Sequence, residues 1–261
     1  MLDVKNLRIT FGNQIAVDGI DFSIEQGGSL AIVGESGSGK SVTALSILGL
    51  LPNNARVSGE ILFEEYNICT LNRAQMQQLR GKKIAIVFQE PMTSLNPVFS
   101  IGEQIMETLL AHENLTRQEA KQKTLLALEE VGIPKERFKS YPHEFSGGMR
   151  QRVVIAIALA CTPDLLIADE PTTALDASTS LQIIELLNQL QRNRNMAIIF
   201  ITHDLCLVPS IAKHVCVMRS GKIVERGKTS TVLEKPTHPY TTALTACVPS
   251  IYKKYKRLPT I

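Results

Sequence analysis

The chain has 261 residues, of which 44% are hydrophobic and 20% are charged. This composition is typical of a folded globular protein and excludes a disordered, collagen-like or disulfide-stapled chain. The 28 lysines and arginines and the 25 aspartates and glutamates leave a formal net charge of only +3. The charge balance therefore gives no sign of a nucleic-acid-binding face.

The cysteines and the hydropathy pattern bear on the cellular compartment. The five cysteines are scattered and form no CxxC pair, which favours reduced thiols in a cytosolic protein over a zinc or disulfide framework. No run approaches the roughly 18 consecutive apolar residues that a membrane-spanning helix needs. The N-terminus lacks a basic segment followed by an apolar core, so we expect no signal peptide.

The pattern of apolar residues predicts an α/β fold. Residues 4–25 alternate apolar and polar side chains, as antiparallel strands with one solvent-facing side do, and Gly12-Asn13 supplies a turn. Residues 42–50 are predicted to form a helix. Five later runs of almost unbroken Ile, Val, Leu and Ala are typical of parallel strands covered on both faces: Leu30–Val33, Ile84–Phe88, Leu165–Ala168, Ala197–Ile201 and His214–Met218.

An insertion of about residues 101–160 separates two of these strands and is predicted to be mostly helical. Within it, Thr116 and Glu119 form a capping box, and the helix that they begin is expected to stop at Gly132. The proline-rich segment after Gly227 is predicted to be an appendage. We predict a single domain over residues 1–261, with an α/β core with its β-subdomain (1–92 and 161–227), a helical subdomain (93–160) and a C-terminal appendage (228–261).

The segment that follows the first buried strand fits the phosphate-binding pattern GxxxxGK[ST]. Its glycines allow positive φ angles, so that backbone N–H groups can surround phosphate oxygens, and the following helix N-terminus adds partial positive charge. We expect Lys40 to bind the β- and γ-phosphates and the Ser41 hydroxyl to bind Mg²⁺. The residues predicted to bind the nucleotide here are Gly34, Glu35, Ser36, Gly37, Ser38, Gly39, Lys40, Ser41 and Val42.

Two carboxylates follow the strand Leu165–Ala168, namely Asp169 and Glu170. Ligands of parallel α/β sheets bind at the carboxyl ends of the strands. Beside a phosphate-binding loop, we expect Asp169 to hold Mg²⁺ and Glu170 to orient a water molecule for attack on the γ-phosphate.

Four further motifs make the chain resemble an ATP-binding cassette (ABC) ATPase, and they occur in the order typical of that family. Val87-Phe88-Gln89 resembles the Q-loop, Phe145-Ser146-Gly147-Gly148-Met149-Arg150-Gln151 resembles the LSGGQ signature, Ala174-Leu175-Asp176 resembles the D-loop, and Thr202-His203-Asp204 resembles the switch-histidine loop. The signature departs from the usual form, with Phe145 for Leu and Met149-Arg150 where Gln is usual.

The resemblance implies a P-loop NTPase (RecA-like) core with an N-terminal antiparallel β-subdomain and an inserted α-helical subdomain. It also implies a head-to-tail dimer, in which ATP lies between the phosphate loop of one subunit and the signature of the other. Ser146, Gly147 and Gly148 would then bind the partner's γ-phosphate, at the start of a helix from about Met149 to Cys161 that Ser146 caps.

The resemblance also implies roles for single residues. Glu170 is the expected catalytic carboxylate, and His203 is expected to stabilise the transition state. Gln89 is expected to contact both Mg²⁺ and the attacking water. Phe11 is expected to stack on adenine, and Asp176 of the D-loop joins the residues expected to bind nucleotide.

Three longer segments resemble the oligopeptide/dipeptide/nickel importer subfamily: Phe88–Pro97, Tyr141–Arg152 and Pro236–Tyr240. This implies an ATPase subunit peripheral to the cytoplasmic face of the inner membrane, which hydrolyses ATP to ADP and phosphate and energises uptake of peptides or of nickel and other metal complexes. The implied partners are a second ATPase, identical or paralogous, two transmembrane permease subunits and an extracytoplasmic substrate-binding protein, with no nucleic acid.

The sequence also bears on other functions and cofactors. Only Cys247 lies in the tail, so we expect no iron–sulfur cluster, and the basic cluster at 252–257 is expected to be solvated. A soluble ABC-type ATPase of DNA repair or translation is the alternative function, but such proteins carry coiled-coil or zinc insertions or a second cassette. A small-molecule kinase needs neither a signature motif nor a water-activating glutamate.

Overall fold

The computed structural model describes residues 1–89, 94–173 and 175–246. Ala174 of the D-loop, Cys247, the basic cluster 252–257 and part of the segment Phe88–Pro97 lie outside the described residues. The chain divides into two compact units, the first formed by Met1–Leu71 and Ile199–Ile261 and the second by Asn72–Ile198. The subdomain boundaries predicted from the sequence stay a prediction.

The strands within the described ranges are β1 (Leu2–Phe11), β2 (Gln14–Ile24), β3 (Ser29–Val33), β4 (Ala55–Phe63), β5 (Tyr66–Asn67), β6 (Ile84–Val87), β7 (Leu165–Asp169), β8 (Ala197–Thr202), β9 (His214–Arg219) and β10 (Lys222–Lys228). The α-helices there are α1 (Lys40–Ile47), α2 (Arg73–Leu79), α3 (Ile101–His112), α4 (Arg117–Glu130), α5 (Gly147–Leu159), α6 (Ala177–Arg194), α7 (Val208–Ile211), α8 (Thr229–Glu234) and α9 (Pro239–Ala246). Short 3₁₀ segments cover Ile68–Thr70, Lys135–Lys139 and Pro142–Glu144.

The first unit contains an antiparallel sheet in the order β2-β1-β4-β5. Along most of β1, buried apolar side chains alternate with more exposed ones, as the sequence predicts, but Lys5 and Asn6 are both exposed and interrupt the alternation. The tight connection between β1 and β2 falls at Gly12-Asn13, as predicted. The register of β1 and β4 shifts between Lys5 and Arg8, where Asn6 has a φ of 47° and Gly59 faces the irregularity.

Both units contain buried parallel strands. In the first unit the strands run in the order β10-β9-β3-β8, and β3 pairs in parallel with β9 so that Leu30 lies opposite His214. In the second unit β6 and β7 are parallel, with Ile84 opposite Leu165. The five strands predicted from continuous apolar runs are confirmed to within one residue at each end.

Capping residues set the start of two helices in the insertion, one as predicted and one earlier than predicted. The capping box of Thr116 and Glu119 begins α4, as predicted, with Gly132 at a φ of 73° just beyond its end. The signature helix α5 was predicted to begin near Met149, but it begins at Gly147, because the Ser146 hydroxyl accepts the N–H of Met149 and so makes the two glycines helical. It ends at Leu159 rather than at Cys161.

Helix α1 begins and ends earlier than the predicted range 42–50. It begins at Lys40, directly after Gly39, and Gly49 follows its last turn with a φ of 58°. A left-handed glycine is a common end of a helix because no side chain opposes that backbone conformation. The phosphate-binding segment therefore contains the first helical turn itself.

The segment after Gly227, predicted to be an appendage, is folded in its described part. It forms α8 and α9 within the first unit. Glu225 of β10 accepts the N–H groups of Thr237 and His238 and the hydroxyl of Thr237, at 2.8 to 3.1 Å. Tyr240 is only 2% exposed. This segment thus contributes a large side chain to the interior of its unit.

Helix α6 begins after Asp176, whose carboxylate makes several hydrogen bonds. It accepts the hydroxyls of Ser178 and Thr179, each at 2.6 Å, and the backbone N–H of Thr179 at 3.0 Å. The bond from Ser178, followed by those from Thr179, holds the pKa of this carboxyl well below its usual range. The ionised form is therefore the better helix cap.

We expect Gly59→Ala to destabilise the first unit by about 3 kcal/mol, since it adds both backbone strain and a clash. Gly59 has a φ of 93°, and a Cβ there would lie 2.3 Å from the carbonyl oxygen of Asn6. Gly12→Ala is the matched control, because Gly12 also has a positive φ but has no atom within 4 Å of that position. Gly12→Ala is expected to lower the free energy of unfolding by only about 1 kcal/mol. Equal losses of the free energy of unfolding in urea denaturation would contradict the close packing at Gly59.

We expect the stability contributed by the Asp176 carboxylate to depend on pH. Its folded-state pKa is lowered, so the contribution is complete above the unfolded-state pKa of about 4 and is lost as the pH falls through the folded-state pKa. The difference in Tm between the parent chain and Asp176→Asn should stay constant from neutral pH to about pH 5 and shrink below about pH 4. A difference that does not change down to the acid limit of folding would exclude the ionised carboxylate as its source.

Candidate nucleotide-binding site

The phosphate-binding segment lies between β3 and α1 in the first unit, and its glycines are required for two reasons. Gly34 and Gly39 have φ angles of 153° and 105°, and a Cβ on either would lie within 2.6 Å of a backbone oxygen, that of Met218 or Ala16. Gly37 has a φ of 79° with open space around it. Backbone conformation alone therefore requires glycine at 37, whereas close packing also requires it at 34 and 39.

The loop is supported from outside by the turn between β9 and β10. The N–H of Gly221 donates to the carbonyl of Ser38 at 3.0 Å, and the carbonyl of Gly221 accepts the N–H of Asp18 at 2.8 Å. Ser38 itself is buried. The turn thus connects the loop to β2, so that three separate stretches of the first unit fix its conformation.

Lys40 is buried, with only 6% of its surface exposed. Its Nζ donates to the carbonyl oxygens of Gly34 and Glu35, each at 2.8 Å. These bonds compensate the cost of burying an ammonium and fix the direction of a long, flexible side chain. The loop therefore carries a positive charge at a defined place.

The N-terminus of α1 is suited to an anion. No side-chain hydrogen bond caps it at Gly39, and its first turn holds no acidic residue. A helix leaves its first N–H groups without an intrahelical partner, and those of Ser41 and Val42 belong to this set. Together with Lys40, the helix end provides N–H donors and positive charge for phosphate oxygens.

Two other predicted site residues lie elsewhere in the first unit. Phe11 ends β1, half-buried, opposite Gln14 on β2 and Ala55 on β4. His203 follows β8 and is exposed. The loop after it is shaped by two successive side-chain bonds, from the N–H of Asp204 to the Thr202 hydroxyl and from the N–H of Cys206 to the Asp204 carboxylate, both at 2.9 Å.

In the second unit, the structure brings together two predicted catalytic residues. Asp169 is the buried last residue of β7, and Glu170 follows it with a φ of 50°. The Gln89 amide Nε2 donates to Glu170 Oε2 at 2.8 Å, and the Thr173 hydroxyl donates to the same oxygen at 2.8 Å. The carboxylate is thereby oriented by two neutral donors. Thr173 was missed in the sequence, where a threonine in a turn gives no functional signal.

The signature packs against the D-loop and α6 of its own chain. A Cβ at Gly148 would lie 2.4 Å from Thr179 Cγ2, and one at Gly147 would lie 3.3 Å from Leu175 Cδ2. The hydroxyl of the same Thr179 is held by Asp176. Close packing therefore opposes a side chain at Gly148 and leaves little space for one at Gly147, independently of any ligand.

The residues expected to bind Mg²⁺ lie in both units, Ser41 in the first and Gln89 and Asp169 in the second. Ser41, Gln89 and Asp169 each offer an oxygen, the donor that Mg²⁺ prefers. Within residues 1–89, 94–173 and 175–246, no group of three or more His, Cys, Asp or Glu side chains could form a metal centre. In the same ranges, no helix is both long enough and apolar enough to cross a bilayer.

Known proteins with similar sequences point to one family. Residues 17–173 match the ABC transporter family model, and residues 224–261 match the model of the oligopeptide/dipeptide transporter C-terminal region. The oligopeptide transport ATP-binding protein OppD of Bacillus subtilis is 50% identical over 259 residues, which cover 96% of this chain and 72% of that protein. The dipeptide transport ATP-binding protein DppD of the same organism is 48% identical, covering 96% of this chain and 77% of that protein.

Solved structures of ATP-binding cassettes have the same fold. CbiO1 of Clostridium perfringens, part of the ABC transporter complex CbiONQ, superimposes with a TM-score of 0.80 at 31% identity over 90% of each chain. The dimeric cassette MJ0796 in a post-hydrolysis state with ADP and phosphate gives a TM-score of 0.77 at 27% identity, over 88% of this chain and 99% of that one. The α/β P-loop fold expected from the sequence is confirmed, and the chain belongs to the ABC transporter family, as one of its ATP-hydrolysing, ATP-binding subunits.

Proposed function

We propose that the chain drives the uptake of oligopeptides or dipeptides as the ATPase subunit of an ABC importer. The observation that carries the catalytic part is the hydrogen bond of Gln89 to the carboxylate of Glu170, directly after β7. The peptide substrate is supported by the names of the relatives that match nearly the whole chain. Nickel transport finds no support among those names, and a soluble repair or translation ATPase is not favoured.

The phosphate loop, the N-terminus of α1 and the Lys40 ammonium support ATP binding by the first unit. The N–H groups of the phosphate loop and of the first turn of α1 would bind phosphate oxygens, and the Lys40 ammonium would neutralise the β- and γ-phosphates. Phe11 would stack on adenine. Mg²⁺, when bound, would neutralise phosphate charge, with Ser41, Gln89 and Asp169 offering its oxygen ligands.

Hydrolysis is assigned to Glu170. A carboxylate held by Gln89 and Thr173 has a fixed orientation, which is what a general base needs to accept a proton from the attacking water. The amide of Gln89, by donating to Glu170, makes the direction of the carboxylate sensitive to movement of the Q-loop. His203 would stabilise the charge that develops on the γ-phosphate.

The signature would act on the ATP of a second subunit. Ser146, Gly147 and Gly148 stand at the N-terminus of α5, where hydroxyl, N–H groups and helix dipole all favour an anion. Their packing against Leu175 and Thr179 ties this anion site to the D-loop residue Asp176. The dimeric form of the similar cassette MJ0796 supports this arrangement. The second subunit is either another copy or a paralogue.

A groove in the second unit is the proposed contact with the permease subunits, which would place the chain at the cytoplasmic face of the membrane. The groove has a volume of about 390 Å³ and is lined by Ile86, Phe88, Ser94, Val154, Ile157 and Ala158. Phe88, which lines the groove, is 42% exposed, and Val98, further along the chain, is 71% exposed, so both offer apolar surface to a partner. An apolar helix of a membrane subunit fits such a surface, and an external substrate-binding protein would deliver the peptide.

We expect Glu170→Gln to keep ATP binding and to lower steady-state phosphate release at least about 100-fold, because the amide cannot accept a proton. Gln still accepts the bonds from Gln89 and Thr173. With Mg-ATP, light scattering should show twice the 28.8 kDa mass of the chain, since trapped ATP holds the two subunits together. Lys40→Ala is the control, which should bind ATP much more weakly than the parent chain and stay monomeric.

Three outcomes would contradict parts of this proposal. Phosphate release by Glu170→Gln at the parent rate would exclude Glu170 as the base. Unchanged ATP affinity in Lys40→Ala would exclude the phosphate-loop assignment. A monomer that binds ATP would exclude the homodimer and would assign the second half of the site to a paralogous ATPase.

We expect Ala158→Glu to uncouple the chain from its membrane partners, because a charge in the groove cannot be buried against an apolar helix without a large desolvation cost. The assay uses liposomes that carry the permease subunits, with the chain and ATP in the lumen and the binding protein outside. The parent chain should support uptake of a labelled tripeptide, and Ala158→Glu should lower this uptake at least about 10-fold. Leu126→Glu is the matched control, on an exposed position of α4. Uptake of a nickel complex instead of the peptide, or equal uptake by both variants, would contradict the proposal.

A further inference from the structure

We propose that Tyr240, outside the ABC motifs, is a positioning residue of the ATP site, which orients Lys40 through the peptide group between Gly34 and Glu35. The Tyr240 hydroxyl accepts the N–H of Glu35 at 3.1 Å. The inference rests on the proposed role of Lys40 in binding ATP. It assigns to the C-terminal segment a direct effect on nucleotide affinity.

The peptide group between Gly34 and Glu35 is held at both ends. Its carbonyl, that of Gly34, accepts the Lys40 ammonium at 2.8 Å, and its N–H, that of Glu35, donates to Tyr240. In a trans peptide the C=O and the N–H point in opposite directions. Fixing the N–H on Tyr240 therefore fixes the direction of the carbonyl that holds Lys40, and two hydrogen bonds in series strengthen one another.

A glycine makes this support necessary. Gly34 has a φ of 153°, and its own backbone places few limits on the rotation of the following peptide group. Without a partner for the Glu35 N–H, the peptide can tilt and carry the ammonium with it. The neighbouring bond from Gly221 to Ser38 holds the loop four residues further on, so it does not replace the contact at Glu35.

Tyr240 is itself held rigidly. Its ring is buried, and the Arg219 guanidinium lies over it at 4.6 Å from the ring centre, a favourable cation–π contact. Burial raises the pKa of the phenol above its ordinary value, so the hydroxyl stays protonated and neutral at physiological pH. The Tyr240 N–H donates to His238 Nδ1 at 3.1 Å.

The support continues to β10. Glu225 accepts two backbone N–H groups and one hydroxyl from Thr237 and His238, which fixes the chain just before α9. A carboxylate on a strand thus places the tyrosine, the tyrosine orients the peptide, and the peptide holds the lysine. All of these residues belong to the first unit.

The test is Tyr240→Phe, which keeps the ring and removes only the hydroxyl. Loss of one hydrogen bond of this kind should weaken ATP and ADP binding about threefold to tenfold and raise KM for ATP, with kcat at saturating ATP within about twofold and Tm almost unchanged. Tyr66→Phe, on the exposed strand β5, is the matched control and should leave affinity unchanged. Glu225→Gln should act in the same direction with a smaller effect.

A double-mutant cycle separates positioning from general stability. In the Lys40→Ala chain, Tyr240→Phe should cause no further loss of affinity, because its effect acts through the ammonium. Losses that simply add, a loss of kcat at constant KM, or unchanged affinity in Tyr240→Phe would each overturn the inference. If Lys40→Ala itself leaves ATP affinity unchanged, the proposed ATP site is wrong. If Lys40→Ala lowers the affinity but Tyr240→Phe does not, only the role of Tyr240 is wrong.

Discussion

The buried ammonium of Lys40 is the interaction on which the nucleotide site of the first unit depends. A buried charge is costly unless oxygen atoms surround it, and the nearest oxygens here are the carbonyls of Gly34 and Glu35. Only a chain that turns through positive φ angles can present both carbonyls to its own lysine. Gly34, Gly37 and Gly39 supply these positive φ angles, and the turn at Gly221 and the close contact with Met218 support the loop from outside.

In the second unit, close packing rather than a buried charge holds the signature and the D-loop residues in place. Gly148 lets α5 approach Thr179 of α6, and Asp176 holds the same threonine. The signature, proposed to bind the phosphate of a partner's ATP, and the D-loop residues Leu175 and Asp176 are therefore parts of one packed body. Movement of one must be accompanied by movement of the other, which suits a subunit whose work is to close on a second subunit.

Much of this organisation could be predicted from the sequence, for physical reasons that differ between regions. Strands such as Leu30–Val33 are continuous apolar runs, and only burial on both faces explains such runs. The phosphate loop combines residue types whose backbone and charge requirements are specific. Thr173 and Tyr240 could not be predicted, because a hydroxyl has no pattern in sequence. The Thr173 hydroxyl bonds Glu170 through a local turn that the sequence does not show, and Tyr240 bonds Glu35, which is far from it along the chain. The predicted start of α5 was two residues late although Ser146 was identified as its cap, because the low helix propensity of glycine favoured a start after Gly147 and Gly148.

The left-handed backbone conformation of Glu170 lowers the stability of the fold, whereas its carboxylate is the proposed catalytic base. At a φ of 50° a residue with a side chain costs about 1 to 2 kcal/mol more than in an ordinary conformation, and glycine would remove that cost together with the carboxylate. In the proposed function, a glycine favoured for thermal stability would also remove the base that accepts the proton of the attacking water. The proposed catalytic role offsets this conformational cost, because the reaction needs a proton acceptor at this turn.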